Sequence, residues 1–339
     1  MKGKTALRFW SLISLGVMVL SAQPSGSEAL RKHNELLLRR LQEVHGLSDE
    51  QVEAVRTIFA RSGFIGQGNP AITAHPVTPE ACRAKLADGE SAYENTDFEA
   101  ICGGKYMAPL YDPSKEEPRE ARTCIDQFEF PDIPCTYPVV WVRAREAAEL
   151  CEAMGKRICD AHEWEGACAG TLEEPDYFFD LAEGADAAAA IPRMRTAHNR
   201  IYGQKKVWSY GPSYRTGVCA ATSQKSPSCE GGSWTQCGSN TFPTGYYPEC
   251  VSPLGVYDLH GNAAEHMNLP LNESQMASRG SETLGYTEMK GSWFIFDHYK
   301  AHEDACRWRA PFWHGSRVMD PKSHHNYHLA FRCCKALGS

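Results

Sequence analysis

The chain has 339 residues, enough for one large domain or two small ones. A net charge of −7 and a pI of about 6.0 leave no basic field for nucleic acid. Hydrophobic residues at 42% can fill a core, and a mean hydropathy of −0.45 argues against multiple membrane spans.

Residues 1–22 read as a secretory signal. Lys2, Lys4 and Arg8 form its positive end, residues 9–20 its apolar stretch, and Ser21 and Ala22 its small-residue cleavage site. The stretch is too short for a comfortable membrane span. The expectation is a secreted or periplasmic protein with no transmembrane segment in the mature chain. All 14 cysteines follow, from Cys82 to Cys334. In an oxidising compartment they predict a disulfide framework of up to seven bridges. No two cysteines have CxxC spacing, so thiolate zinc sites are the weaker reading.

Residues 23–66 form an N-terminal helical segment. A first helix is predicted over residues 27–44, with Leu30, Leu37, Leu41 and Val44 on one face and Gly46 ending it. A second opens at Ser48, with Gln51 completing a capping box and Leu47 and Val52 a hydrophobic staple. Its stripe is Val52, Val55, Ile58 and Phe59, read as packing rather than ligand surface. Residues 63–79 read as a linker into a main domain over residues 67–339. There, residues 137–142 predict a strand and residues 145–154 an amphipathic helix stopped by Gly155. Asp160 with Glu163 caps another helix. Residues 171–250 look mostly irregular, and the alanine run 185–190 reads as an exposed insertion.

The stretch 253–267, PLGVYDLHGNAAEHM, organises the rest. Leu254, Val256 and Leu259 predict a short strand. Asp258, Asn262 and Glu265 place side-chain oxygens around Gly261, where the backbone can turn tightly. Such a loop suits a hard cation, calcium above all. The same residues also read as a strand and an Asx-type turn without metal. Nearer the C-terminus, His314, His324, His325 and His328 lie close to GSW (Gly291, Ser292, Trp293) and CRWR (from Cys306), without a diagnostic metal spacing.

Three ordered blocks resemble the formylglycine-generating enzyme, or sulfatase-modifying-factor, family. They are VVWVRAREAAELCEAMGKRICDAHEWEGACAG (139–170), LGVYDLHGNAAEH (254–266), and KGSW followed by LAFRCC. The resemblance covers roughly residues 101–334. It implies a single α+β domain related to C-type lectins, poor in regular structure, disulfide-rich and here preceded by two short helices. It implies structural calcium held by the Asp258 side chain and the carbonyls of Leu259, Gly261 and Ala263, with Glu265 nearby. Asn199 and the Arg200 carbonyl match a second calcium position. It also implies a disulfide between Cys168 and Cys333.

The family's oxidase holds copper(I) with two cysteines and uses oxygen to convert a substrate cysteine to formylglycine. A soft ion needs that thiolate pair. Here the first slot is Ile295, and Cys306 matches the second only at a longer distance from Ser292. Copper is therefore not expected. The expected role is a secreted, non-copper binding or accessory module with a peptide or protein partner. The alternative is an oxidoreductase of the formylglycine-generating type with a rearranged metal site. It would act on a cysteine-containing or other small substrate through Cys306 and Ser292.

Overall fold

The computed structural model describes residues 26–86, 89–310 and 315–338. The predicted signal segment and His314 lie outside the described residues. Helix α1 (Gly26–His45) buries Leu30, Leu37, Leu38 and Leu41, and ends at Gly46, whose φ of 64° suits a residue without a Cβ. Helix α2 (Asp49–Ser62) has the expected capping box. The Gln51 amide donates to Ser48 Oγ at 3.3 Å, and the Ser48 amide donates to Gln51 Oε1 at 3.0 Å. Val52, Val55, Ile58 and Phe59 all point inward. They share one core with Val139, Val142, Ala147, Leu150 and Cys151. The helical pair therefore covers the domain's own apolar surface, and each fully buried leucine or phenylalanine contributes about 1.5–3 kcal/mol.

Short helices α3 (Pro79–Lys85) and α4 (Thr96–Cys102) lead into two small sheets. The first sheet is antiparallel, in the order β1 (Met107–Leu110), β2 (Thr123–Asp126), β7 (Cys333–Ala336) and β3 (Arg157–Ile158). In the second, β4 (Ala264–Leu269) lies between antiparallel β5 (Tyr286–Lys290) and parallel β6 (Leu329–Ala330). Helix α5 (Ala144–Ala153) begins one residue earlier than the sequence suggests. Helix α6 (Ala161–Ala169) has the expected Asp160 and Glu163 capping box. The architecture is α+β with short elements, joined by seven disulfides.

Three local expectations are corrected. Residues 137–142 are not a strand: Val140 alone bridges, to Gly66, while Pro138 lacks an N–H and Trp141 turns left-handed at φ 61°. The alanine run opens helix α7 (Ala187–Tyr202), capped by Asp186, and buries Ala190, Ile191 and Met194. Alanine's high helix propensity and small size suit a helix seated on a core. Leu254, Val256 and Leu259 are buried but form no strand. Asp258, Gly261 and Asn262 all have positive φ, which prevents extension.

Candidate functional site

The three family-like blocks converge in the interior. Asn262 is held from several directions: its backbone N–H donates to the Ala220 carbonyl at 2.7 Å. Its own carbonyl accepts from Phe294 N at 3.0 Å. Its side chain donates to Glu129 Oε2 at 2.8 Å and accepts from Phe242 N at 2.8 Å. Glu129 also receives the Ala263 amide at 2.9 Å. Arg332, from the FRCC block, pairs with Glu265 at 2.7 and 2.8 Å. Asp258 Oδ2 accepts from Gly245 N at 2.6 Å, and its Oδ1 is buried with no partner among the described residues. Burial pushes the Asp258 carboxyl up to about 7, with the Glu265 charge adding to the effect. Glu129 is raised well above the ordinary range, first by burial and then by the charges of Asp258 and Glu265. Sequence reading missed Glu129 and Arg332. Both are distant in sequence from the Gly-Asn turn, and only the fold brings them to it.

Ser292 is buried beneath this turn. Its Oγ accepts from Gly261 N at 2.9 Å and donates to Asp304 Oδ2 at 3.0 Å. Asp304 Oδ1 accepts from Trp208 Nε1 at 2.9 Å. His260 completes the network: its Nδ1 lies 3.5 Å from Asp304 Oδ2, and its Nε2 accepts from Ser209 N at 3.1 Å. Burial pushes Asp304 upward, but hydrogen bonds from His260, Trp208 and Ser292 outweigh this. Its carboxyl is held below the ordinary range. The serine hydroxyl is thus committed to fixing backbone and carboxylate, and is not presented as a nucleophile.

Cys306 is bonded to Cys168 at 2.05 Å, so the free thiol that the alternative oxidoreductase reading needs is absent. This also corrects the expected Cys168 to Cys333 bridge. Cys333 is bonded to Cys151, and the adjacent Cys334 to Cys159. Successive residues of a strand face opposite sides. On β7, Cys333 therefore joins the core under α5, and Cys334 the core that holds Cys168 and Cys306. Among the described residues no cysteine is free.

Ile295 is 4% exposed and packs with Val140, Trp141, Phe294, Tyr327 and the Cys229–Cys237 bridge. Trp293 stacks on His328 with ring centres 4.6 Å apart. Arg309 is wholly buried against Glu165, at 2.9 and 3.2 Å, and Asp176, at 3.2 Å. Asn199 uses both ends of its amide on the Arg309 backbone, donating to the carbonyl and accepting from the N–H, each at 2.9 Å. Arg200 is exposed on α7.

Among the described residues, His324, His325 and His328 do not converge on a metal centre. Among the described residues, three groups of potential ligand atoms lie within 4.8 Å of one another, and none contains His324, His325 or His328. Two of the three contain disulfide sulfurs. The third, Glu165, Asp176 and His198, is already neutralised by Arg309 and Lys290. His325 lies 3.2 Å from an Arg143 nitrogen. Burial, then the Arg143 charge, lowers its pKa to about 4.

Residues 69–337 match the family described as sulfatase-modifying factor enzyme 1-like domain. No curated protein matches the chain. Among solved structures, "Crystal Structure of CarF" is similar at 10% identity and a TM-score of 0.36, over 69% of this chain and 98% of that one. "Major Tropism Determinant U1 Variant" is similar at 11% identity and a TM-score of 0.30, over 69% of this chain and 55% of that one. The P3c variant of the same determinant gives 12% identity and a TM-score of 0.30, over 67% and 55%. With the family match spanning most of its length, this chain belongs to the sulfatase-modifying factor enzyme 1-like domain family.

Proposed function

We propose that this protein is an extracellular binding or accessory member of its family, not a copper oxidase, and that calcium supports its fold. One observation carries the reading. The two positions that would supply soft ligands are occupied otherwise: Ile295 is buried among apolar side chains, and the Cys306 sulfur is bonded to Cys168. Copper(I) requires polarizable thiolate-type ligands, and the residues present do not fit it. Seven disulfides suit an oxidising compartment. No helix among the described residues is long and apolar enough to cross a membrane.

The Gly-Asn turn does fit a hard cation. Glu129, Asp258 and Glu265 approach one another around a single guanidinium, Arg332. With all three ionised, their negative charge exceeds Arg332's positive charge. Asp258 Oδ1 is buried without a partner. A divalent ion would supply the missing charge and the missing partner, held by Asp258, the carbonyls of Leu259, Gly261 and Ala263, and Glu265. Its contribution would be structural, fixing the turn.

The test is copper(I) titration of the purified chain together with an oxidation assay on a cysteine-containing sulfatase peptide. The expected result is no stoichiometric copper binding and no aldehyde. Copper-dependent loss of the peptide thiol with aldehyde formation would establish the oxidoreductase reading instead.

A further inference from the structure

We propose that the groove along residues 222–228 is a binding site for a neutral oligosaccharide. The proposal rests on the binding reading above and names the ligand class. The groove has a volume of about 630 Å³, within the ~300–1,000 Å³ range of small-ligand sites. It adjoins the segment that carries the family's oxidase chemistry: the Ser223 amide donates to the Phe294 carbonyl at 2.7 Å, and the Asp297 amide to the Ala221 carbonyl at 3.0 Å.

The lining is mostly uncharged. Thr222, Ser223, Gln224, Ser226 and Asn240 supply hydroxyls and amides, and Lys225 is the one charged side chain among the described residues lining the groove. No carboxylate there attracts a cation. Sugar hydroxyls both donate and accept, and so do serine, threonine, glutamine and asparagine side chains. Asn240 shapes the groove with both ends of its amide, accepting from Ala74 N and donating to the Gln224 carbonyl, each at 2.8 Å. Ser226 Oγ accepts from Gly238 N at 3.0 Å. Thr222 Oγ1 lies 3.1 Å from the Tyr247 hydroxyl.

Ser223 supplies the second, independent observation. It is 7% exposed, lines the groove, and its Oγ has no hydrogen-bond partner among the described residues. Its oxygen is not sealed from solvent, so the hydroxyl is open to donate to or accept from a ligand in the groove. The Gln224 side chain is exposed beside it without a partner among the described residues. Ile72, Pro76 and Pro227 also line the groove and offer apolar surface for the C–H side of a sugar ring.

Titration calorimetry of the full chain with maltotriose, cellotriose, chitotriose and mannotriose at millimolar concentration tests the assignment. Hexaglutamate and an uncharged tetrapeptide, Ala-Gly-Ser-Ala, serve as the competing classes. At least one trisaccharide is expected to bind. Ser223→Ala and Gln224→Ala should each weaken it about fivefold, the loss of one hydrogen bond, whereas Lys225→Ala should change it less than about twofold. Melting curves matching the parent keep the variants interpretable. Silence from all four trisaccharides, binding unaltered in both Ser223→Ala and Gln224→Ala, or binding confined to either peptide would overturn the proposal. The copper assay reads different residues, so failure here and failure of the non-oxidase reading are told apart.

Discussion

Arg332 grips Glu265 through two parallel bonds, Nε to Oε2 at 2.7 Å and Nη2 to Oε1 at 2.8 Å, with both residues buried. Its remaining donors reach the carbonyls of Asp126 and Gln127, each at 3.1 Å, and of Tyr257 at 3.0 Å. The pair ties β4 to the chain entering β7, and so joins the two sheets. Removing one partner of such a pair leaves the other charge uncompensated. Arg332→Met should therefore cost about 3–5 kcal/mol in denaturant unfolding. A loss under about 1 kcal/mol would show that the three carboxylates around it do not depend on its charge.

Calcium should raise the melting temperature of the parent protein relative to the same protein in chelator. Asp258→Asn retains the shape of the side chain but removes its charge, and should erase that difference. The physical reason is that the ion supplies positive charge where Arg332 alone faces Glu129, Asp258 and Glu265. Identical parent melts in calcium and chelator would remove the site from consideration.

Non-reducing peptide mapping should recover Cys168 with Cys306, Cys151 with Cys333, and Cys159 with Cys334. The first bridge spans a sequence separation of 138. Replacing both Cys168 and Cys306 by alanine should cost about 4–5 kcal/mol in the chain-entropy account. A peptide joining Cys168 to Cys333, or either cysteine alkylated as a free thiol, would contradict this pairing.

His75 lies flat on Tyr137, ring centres 3.5 Å apart, with Nδ1 2.9 Å from the Thr241 carbonyl. Desolvation lowers its pKa to about 4, while the backbone contacts oppose that shift. The sign follows from proton uptake. Between pH 6.5 and about 4 the unfolded chain binds a proton at this residue that the folded chain does not. Its contribution to stability is thus fully present above 6.5 and is lost as pH falls through that window. His75→Phe retains the ring contact but cannot titrate. Melting temperature should fall less steeply from pH 6.5 to 4 in this variant than in the parent. Parallel pH profiles would count against the shift.

Local signals read well where the cause was local. The Ser48–Gln51 and Asp160–Glu163 capping boxes needed only neighbouring residues, and both formed as expected. The apolar stripe of α2 emerged from a helical period that its own sequence carries. The left-handed residues Trp141, Asp258 and Asn262 overruled strand-like composition, because tertiary contacts hold their backbones where extended pairing cannot continue. Asn262 illustrates the cause: its side chain and backbone are fixed by Glu129, Phe242, Ala220 and Phe294 together.

The sequence by itself determined the family blocks, the loss of the soft ligand at Ile295 and an even number of cysteines able to bridge completely. These depend on residue identity and order alone. Only the tertiary structure decided which cysteines bridge, because pairing depends on which strand face each sulfur occupies, and adjacent Cys333 and Cys334 occupy opposite ones. It alone brought Glu129 and Arg332 to the Gly-Asn turn, across more than 60 residues in each case. It also turned Ser292 from a candidate nucleophile into a bridge between Gly261 and Asp304, since a hydroxyl's role is set by the partners that surround it.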